Sequence, residues 1–218
     1  MRKSGVITVI GNIASGKSTA VPILAEALGG QAVFADELFQ TVDPFRDRFL
    51  VDIKRWALAN ELWLAVERVN LLKTHLKDAK RRWQVIDSGI LMSWAFTHSH
   101  FLAGNLTEDE WRLFEVIYRR LTDDFLAGTV VVALSCPVAT LRKRVVKRGR
   151  VEEERRFEIK YYQKKYLNNI NKGLTALKRK LRQEKKVKLI SVNEGKIMDF
   201  AATERGKKQL VRLVKKEL

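Results

Sequence analysis

The sequence predicts an α/β fold, a doubly wound five-stranded parallel sheet flanked by helices, formed as one domain over residues 1–218. Three observations carry that prediction. Five short, continuous runs of β-branched and apolar residues are bounded by turn or polar residues, as expected of strands buried on both faces. Longer stretches with helical periodicity separate them, so strands and helices alternate along the chain. A glycine-rich loop stands between the first run and the first helical stretch. No repeat, low-complexity tract or Pro/Ser-rich linker interrupts the pattern.

The elements follow in order. Val6–Ile10 is the first strand and leads into the loop. The helix over 17–28 contains Pro22, which removes a hydrogen bond and should bend the axis. Ala32–Ala35 is the second strand. Helical spacing fills roughly 45–78 in two pieces, and Trp83–Asp87 is the third strand. Two further helical pieces occupy 90–126; Thr107, with Glu110 three residues on, gives the second a capping-box signature. Thr129–Ser135 is the fourth strand and Val187–Val192 the fifth, with two helical pieces in 138–182 between them and a last helix over 203–216. At the end of the fourth strand, Cys136 before Pro137 reads as a buried structural thiol.

Composition narrows the class. An apolar content of 46% excludes a disordered chain, and no apolar run approaches the roughly 20 residues of a membrane helix. Met1 to Gly5 pass directly into a strand-like run, without room for a signal peptide. The single cysteine can form neither an internal disulfide nor a metal cluster. The expectation is a soluble cytoplasmic protein with no membrane partner. The net charge of +17 is the odd feature, because such a surplus attracts polyanions. Much of it lies in the basic region 171–188, with Lys178, Arg179, Lys180, Arg182, Lys185 and Lys186. No aromatic residue is interleaved there for base stacking, so a solvated helix face is favoured over a nucleic-acid partner.

The loop Gly11-Asn12-Ile13-Ala14-Ser15-Gly16-Lys17-Ser18 matches G-x-x-x-x-G-K-[ST] at every fixed position, with a strand before it and a helix after it. Glycines at these places let the backbone wrap an anion with inward N–H groups, and the helix N-terminus adds partial positive charge. Lys17 suits the β- and γ-phosphates of ATP, and the hydroxyl of Ser18 suits Mg²⁺. Asp87, at the end of a neighbouring strand, is a second metal candidate; a helix N-cap is its alternative role.

With Thr19 the loop extends to Gly11-Asn12-Ile13-Ala14-Ser15-Gly16-Lys17-Ser18-Thr19, and other segments fall into register with it. They are Glu37 in Ala35-Asp36-Glu37-Leu38-Phe39, Arg55-Trp56 with Glu61 and Arg68, Asp87-Ser88-Gly89, and Arg144-Val145-Val146-Lys147-Arg148-Gly149-Arg150-Val151-Glu152-Glu153. On these residues the chain resembles the deoxynucleoside kinase family from Gly5 to about Ile170. The resemblance implies a P-loop kinase fold with an arginine-rich lid at about 144–156. It also implies transfer of the γ-phosphate of ATP to a nucleoside 5′-hydroxyl in nucleotide salvage. Glu37 is then the base, Arg144, Arg148 and Arg150 surround the phosphates, and Trp56, Glu61, Arg68 and Glu153 contact the nucleoside. A homodimer paired through the helices of 45–78 and 90–126 is implied as well.

Three positions depart from the family pattern. Ser88 replaces an arginine, Leu50 replaces a sugar-binding tyrosine, and Glu61 replaces the glutamine that reads the base. An ionised glutamate only accepts hydrogen bonds, so a buried Glu61 has to meet donors or change protonation state; Arg68, seven residues on, shares its helix face. Two rival readings stay open. A nucleoside monophosphate kinase of thymidylate kinase type would need acceptor-site cations such as Arg46, Arg48 and Arg68. A degenerate relative would keep the fold for binding or assembly. His98 and His100, two apart and so on different helix faces, read as helix-end or substrate-rim residues and not as a metal site.

Overall fold

The computed structural model describes residues 4–34, 43–79, 82–123, 126–148, 165–193 and 200–218. Five parallel strands, β1 (Gly5–Gly11), β2 (Gln31–Phe34), β3 (Trp83–Asp87), β4 (Val130–Ser135) and β5 (Lys188–Asn193), form one sheet in the order β2-β3-β1-β4-β5. The connections pass through α1 (Lys17–Leu28), α2 (Arg46–Val51), α3 (Ile53–Ala79), α4 (Gly89–Leu102), α5 (Glu108–Thr122), α6 (Val138–Arg148) and α7 (Leu167–Glu184). A last helix, α8 (Glu204–Glu217), follows β5.

The continuous apolar runs are explained by two cores, one on each face of the sheet. Val6, Ile10, Ile86, Val131 and Ala133 face a core with Ala65, Val69, Met92, Ile170 and Leu174 from α3, α4 and α7. Ile7, Val9, Val85, Val130 and Val132 face the opposite core, with Val21 and Leu24 of α1 and Leu210 and Val214 of α8. Period-2 alternation therefore sends apolar side chains into cores on both sides, each worth about 1.5–3 kcal/mol when fully buried. Gly173 sets how closely α7 crosses α4: a Cβ there would lie 2.4 Å from the carbonyl oxygen of Ala95. Substitution with alanine would push the two helices apart.

The elements match the sequence expectations closely. Helix α1 runs unbroken through the exposed Pro22. The Thr107 capping box is complete, with Glu110 N donating to Thr107 Oγ1 (3.2 Å) and Thr107 N donating to Glu110 Oε2 (2.7 Å). Among the described residues no helix is long and apolar enough to cross a membrane.

One residue offends the core. Gln84, in the middle of β3, is 0% exposed, and neither amide atom has a hydrogen-bond partner. An unsatisfied buried amide costs about 1–3 kcal/mol, and methionine fills nearly the same volume without that cost. Gln84→Met is expected to raise stability by about 1 kcal/mol or more, read as a higher urea midpoint with an unchanged slope.

Candidate active site

The register brings Phe34 and Val9 level with Asp87, and Gly11 level with Leu134, so four strand ends share one edge of the sheet. β1 lies between β3 and β4, where the chain order reverses, and such switch points open the crevice of a doubly wound sheet. The glycine-rich loop leaves β1 at that point. Gly16 adopts φ +94°, and a Cβ on it would sit 3.1 Å from the Phe200 ring. A Cβ on Gly11 would meet Ser15 Oγ at 2.5 Å. Both positions are closed to side chains by the tightness of the turn. Thr107 and Thr203 cap α5 and α8 with their hydroxyls, but no side chain caps α1. A helix N-terminus without a side-chain cap suits an anion, and Ser15 Oγ, two residues before it, is buried without a hydrogen-bond partner. These features fit a polyphosphate.

Asp87 is 2% exposed and held at both oxygens. Ser18 Oγ donates to Oδ2 (2.6 Å) and Ser88 Oγ donates to Oδ1 (2.8 Å). Ser88 is itself at φ +68°, a strained value for a residue with a side chain, and its N–H donates to the carbonyl of Val9 (3.0 Å). In place of the family arginine, Ser88 thus orients the carboxylate. Asp87 does not cap α4: the N-cap position is Ser88, and no side chain caps that helix. Because Ser18 gives its proton to Asp87, a lone pair on Oγ remains for a hard cation. Among the described residues no group of three His, Cys, Asp or Glu could hold a metal. Mg²⁺ needs no such cluster, since it keeps waters and takes further oxygens from phosphates.

Around this pair lies a cleft of about 250 Å³, lined by Ala14 to Thr19, Cys136, Arg144, Arg148, Val192, Phe200 and Ala201. Arg144 and Arg148, four apart on α6, face the same cleft as Lys17, and Arg144 Nη1 donates to Cys136 Sγ (3.8 Å). Cys136 is buried, as expected. Lys17 Nζ donates to the carbonyl of Asn12 (3.1 Å), which draws the ammonium across its own loop. The Asn12 amide is 1% exposed and ties the loop to α7 through Leu167 O (2.8 Å) and Asn171 Oδ1 (2.6 Å), while its Oδ1 accepts from Ile13 N (2.7 Å).

Glu61 and Arg68 are both buried on α3. Arg68 Nη1 donates to Ser93 Oγ of α4 (2.6 Å). Glu61 Oε1 lies 3.8 Å from His100 Nε2, and His100 is 1% exposed. Asn105 Nδ2 stands 3.2 Å from His100 Nδ1; with the amide donating, the ring proton sits on Nε2, toward Glu61. The buried carboxylate therefore has a donor close by. Trp56 packs between the guanidinium groups of Arg48 (5.0 Å) and Arg55 (5.5 Å), and Leu50 joins the small apolar cluster around Phe49. His98 points elsewhere, stacked on Trp94 (4.8 Å), with its pKa lowered mainly by burial and further by Arg179, against an opposing pull from Glu115.

The fold thus brings Ala14 to Thr19, Arg144 and Arg148 to one cleft, with Asp87 joined to it through its hydrogen bond to Ser18. Glu37, Arg150 and Glu153 lie outside the described residues. Sequence reasoning missed His100 as the neighbour of Glu61, Ser93 as the partner of Arg68, the tether at Asn12 and the wall formed by Phe200. Asn12 stood in the motif, but a loop asparagine gives no sign of what it will bond; Phe200 carried no signal at all.

Comparison with known proteins agrees with this fold. Deoxyguanosine kinase of Bacillus subtilis is 23% identical over 155 residues, covering 71% of this chain and 72% of that protein. Deoxyadenosine/deoxycytidine kinase of the same organism is 26% identical over 159 residues, covering 69% of each. Among solved structures, deoxyadenosine kinase from M. mycoides with bound dCTP superposes with a TM-score of 0.69 at 17% identity, over 97% of both chains. The same kinase with bound dATP gives 0.68 at 18% identity, again over 97% of both. At such identity the superpositions speak for the fold. The family model for deoxynucleoside kinases matches residues 7–218, and the chain belongs to that family.

Proposed function

We propose that the protein transfers the γ-phosphate of ATP to the 5′-hydroxyl of a nucleoside or deoxynucleoside, a salvage reaction. The observation that carries this reading is the hydrogen bond from Ser18, in the same cleft as Lys17, Arg144 and Arg148, to Asp87 at the end of β3. Phosphoryl transfer asks a protein mainly for in-line positioning and for cations around the moving group. Lys17 supplies a compact charge between β- and γ-phosphates; Arg144 and Arg148, with Arg150 of the lid, neutralise the oxygens that gain charge. Ser18 and Asp87 would hold Mg²⁺, which would supply positive charge to the phosphate oxygens there. The 5′-oxygen attacks the γ-phosphorus, the bond to the β–γ bridging oxygen breaks, and the 5′-hydroxyl proton passes to Glu37.

A panel of nucleosides and of nucleoside monophosphates, each with ATP and Mg²⁺, tests the reading. ADP release with nucleosides is expected. Turnover of monophosphates alone would make it a nucleotide kinase, and turnover of neither would leave a binding protein on a kinase fold. Two of the cations a nucleotide acceptor would need are engaged otherwise, Arg48 over Trp56 and Arg68 at Ser93.

Base choice rests on Glu61. A carboxylate favours an edge that presents two donors side by side, which guanine does with N1–H and its exocyclic amino group. Cytosine and adenine each place an acceptor beside their amino group. Guanine nucleosides, and hypoxanthine nucleosides through the N1–H that they keep, are expected to outcompete cytidine types by about tenfold or more, with the preference weakened or inverted in Glu61→Gln. Competition binding with the natural nucleosides checks this; the same ranking in both proteins would refute it.

A further inference from the structure

The +17 charge is not accounted for by a phosphate site, and two basic helices carry much of it. Along α7 and the turn after it, Lys178 is half-buried against Ser135 Oγ (3.3 Å), Lys180 pairs with Glu184 (2.9 Å) and Lys186 pairs with Asp123 (3.0 Å), while Arg179, Arg182 and Lys185 are exposed. Helix α8 is arranged differently. Gly206, Leu210 and Val214 seal one side of it onto the sheet, and Arg205, Lys208, Arg212, Lys215 and Lys216 are exposed on the other. At 100° per residue these five cations fall within an arc of roughly 100° and span about 16 Å of helix axis.

Two carboxylates belong to α8: Glu204, at the edge of the stripe, is paired with Lys207 and also feels Lys208, and Glu217 lies 3.5 Å from Lys188 of β5. Glu26 of α1 is the further acid on the adjoining groove, whose floor is Ile23, Ala27 and Val211. No aromatic side chain lines the groove, so nothing there would stack on a base.

We infer that the exposed face of α8 is a docking surface for the phosphate backbone of a nucleic acid, independent of base sequence. About 16 Å of duplex presents roughly five phosphates of one strand, at ~3.4 Å each, which matches the five cations in number and length. This surface does not depend on the proposed catalytic reading, and it faces away from the sheet edge that carries the phosphate cleft only at its C-terminal part, so the test leaves Arg205 intact.

Fluorescence anisotropy of a labelled 20-base-pair duplex, titrated with the full-length protein between 50 and 200 mM salt, is the measurement. For four or five contacts the slope of log K against log salt is expected to be about −4, which corresponds to a loss of about 10²-fold across that range. A variant with Lys208, Arg212, Lys215 and Lys216→Gln is expected to bind more than tenfold more weakly at 100 mM salt, with a slope shallower by about three, and to keep wild-type kinase turnover. A charge-matched control, Arg119, Arg120, Arg179 and Arg182→Gln, is expected to stay within about threefold of wild type. Lys208→Gln and Lys216→Gln, measured singly, should each reduce the slope by about one and guard against misfolding of the fourfold variant. Equal losses in the α8 variant and the control would reduce the effect to net charge and overturn the assignment. So would undiminished binding by the α8 variant, or tighter binding to phosphatidylglycerol vesicles than to the duplex at the same salt.

Discussion

Replacing Lys17 by alanine is expected to lower turnover by about 10²–10³-fold or more and to weaken ATP binding. The ammonium is held by the Asn12 carbonyl over the loop, in a cleft whose other cations, Arg144 and Arg148, approach from α6. Those two sit on the far wall, so neither can take the place of a charge that rises from the floor of the cradle. Lys17→Arg is expected to fail nearly as badly, since a planar fork is longer and cannot act as a compact point charge in so tight a turn. Steady-state kinetics and calorimetric titration with ATP check both variants, with thermal midpoints to confirm folding. Near-wild-type turnover in Lys17→Ala would remove the loop from the reaction.

Glu37→Gln should separate chemistry from binding. The substitution keeps the shape and removes the base, so turnover is expected to fall by roughly 10²–10⁴ while ATP affinity persists. Strand β2 ends with Phe34 level with Asp87 at the carboxyl edge of the sheet, and Glu37, the proposed base, follows three residues later in the sequence. The acidic limb of the pH profile of kcat/KM should vanish with the carboxylate. Unchanged turnover would pass the role to Asp36 or show that the transfer needs no base.

Most of the scaffold was legible because it rests on local rules. Strands buried on both faces leave unbroken apolar runs, and each of the five lay within a residue or so of its expected place, Trp83–Asp87 without any shift. Their ends differ where ladder hydrogen bonds, not side chains, decide the boundary. The phosphate side of the site was legible too, because Gly11 to Ser18 is contiguous and Asp87 ends an obvious strand. The acceptor side was not. Whether Glu61 meets Arg68 or His100 depends on how α3 packs on α4, and residues 39 apart in sequence carry no shared period to announce it. The parity argument did hold for the histidines: His98 lies in the aromatic packing with Trp94 and Trp111, and His100 turns to Glu61. Ser88 looked like a loss when read against an arginine, but its hydroxyl fixes Asp87.

The amide of Asn12 has a consequence for how the molecule is made. The loop joins β1 to α1, yet both partners of Asn12 Nδ2 stand 155 and 159 positions further along the chain. A nascent chain that stops before Leu167 can form β1 and α1 with every residue of the motif present, but the loop lacks the clasp that holds its shape. Contacts of such long range form late, after the intervening chain has been ordered. The loop therefore gains its clasp only when α7 docks, and fragments that stop before α7 are expected to hold ATP more weakly than the whole chain.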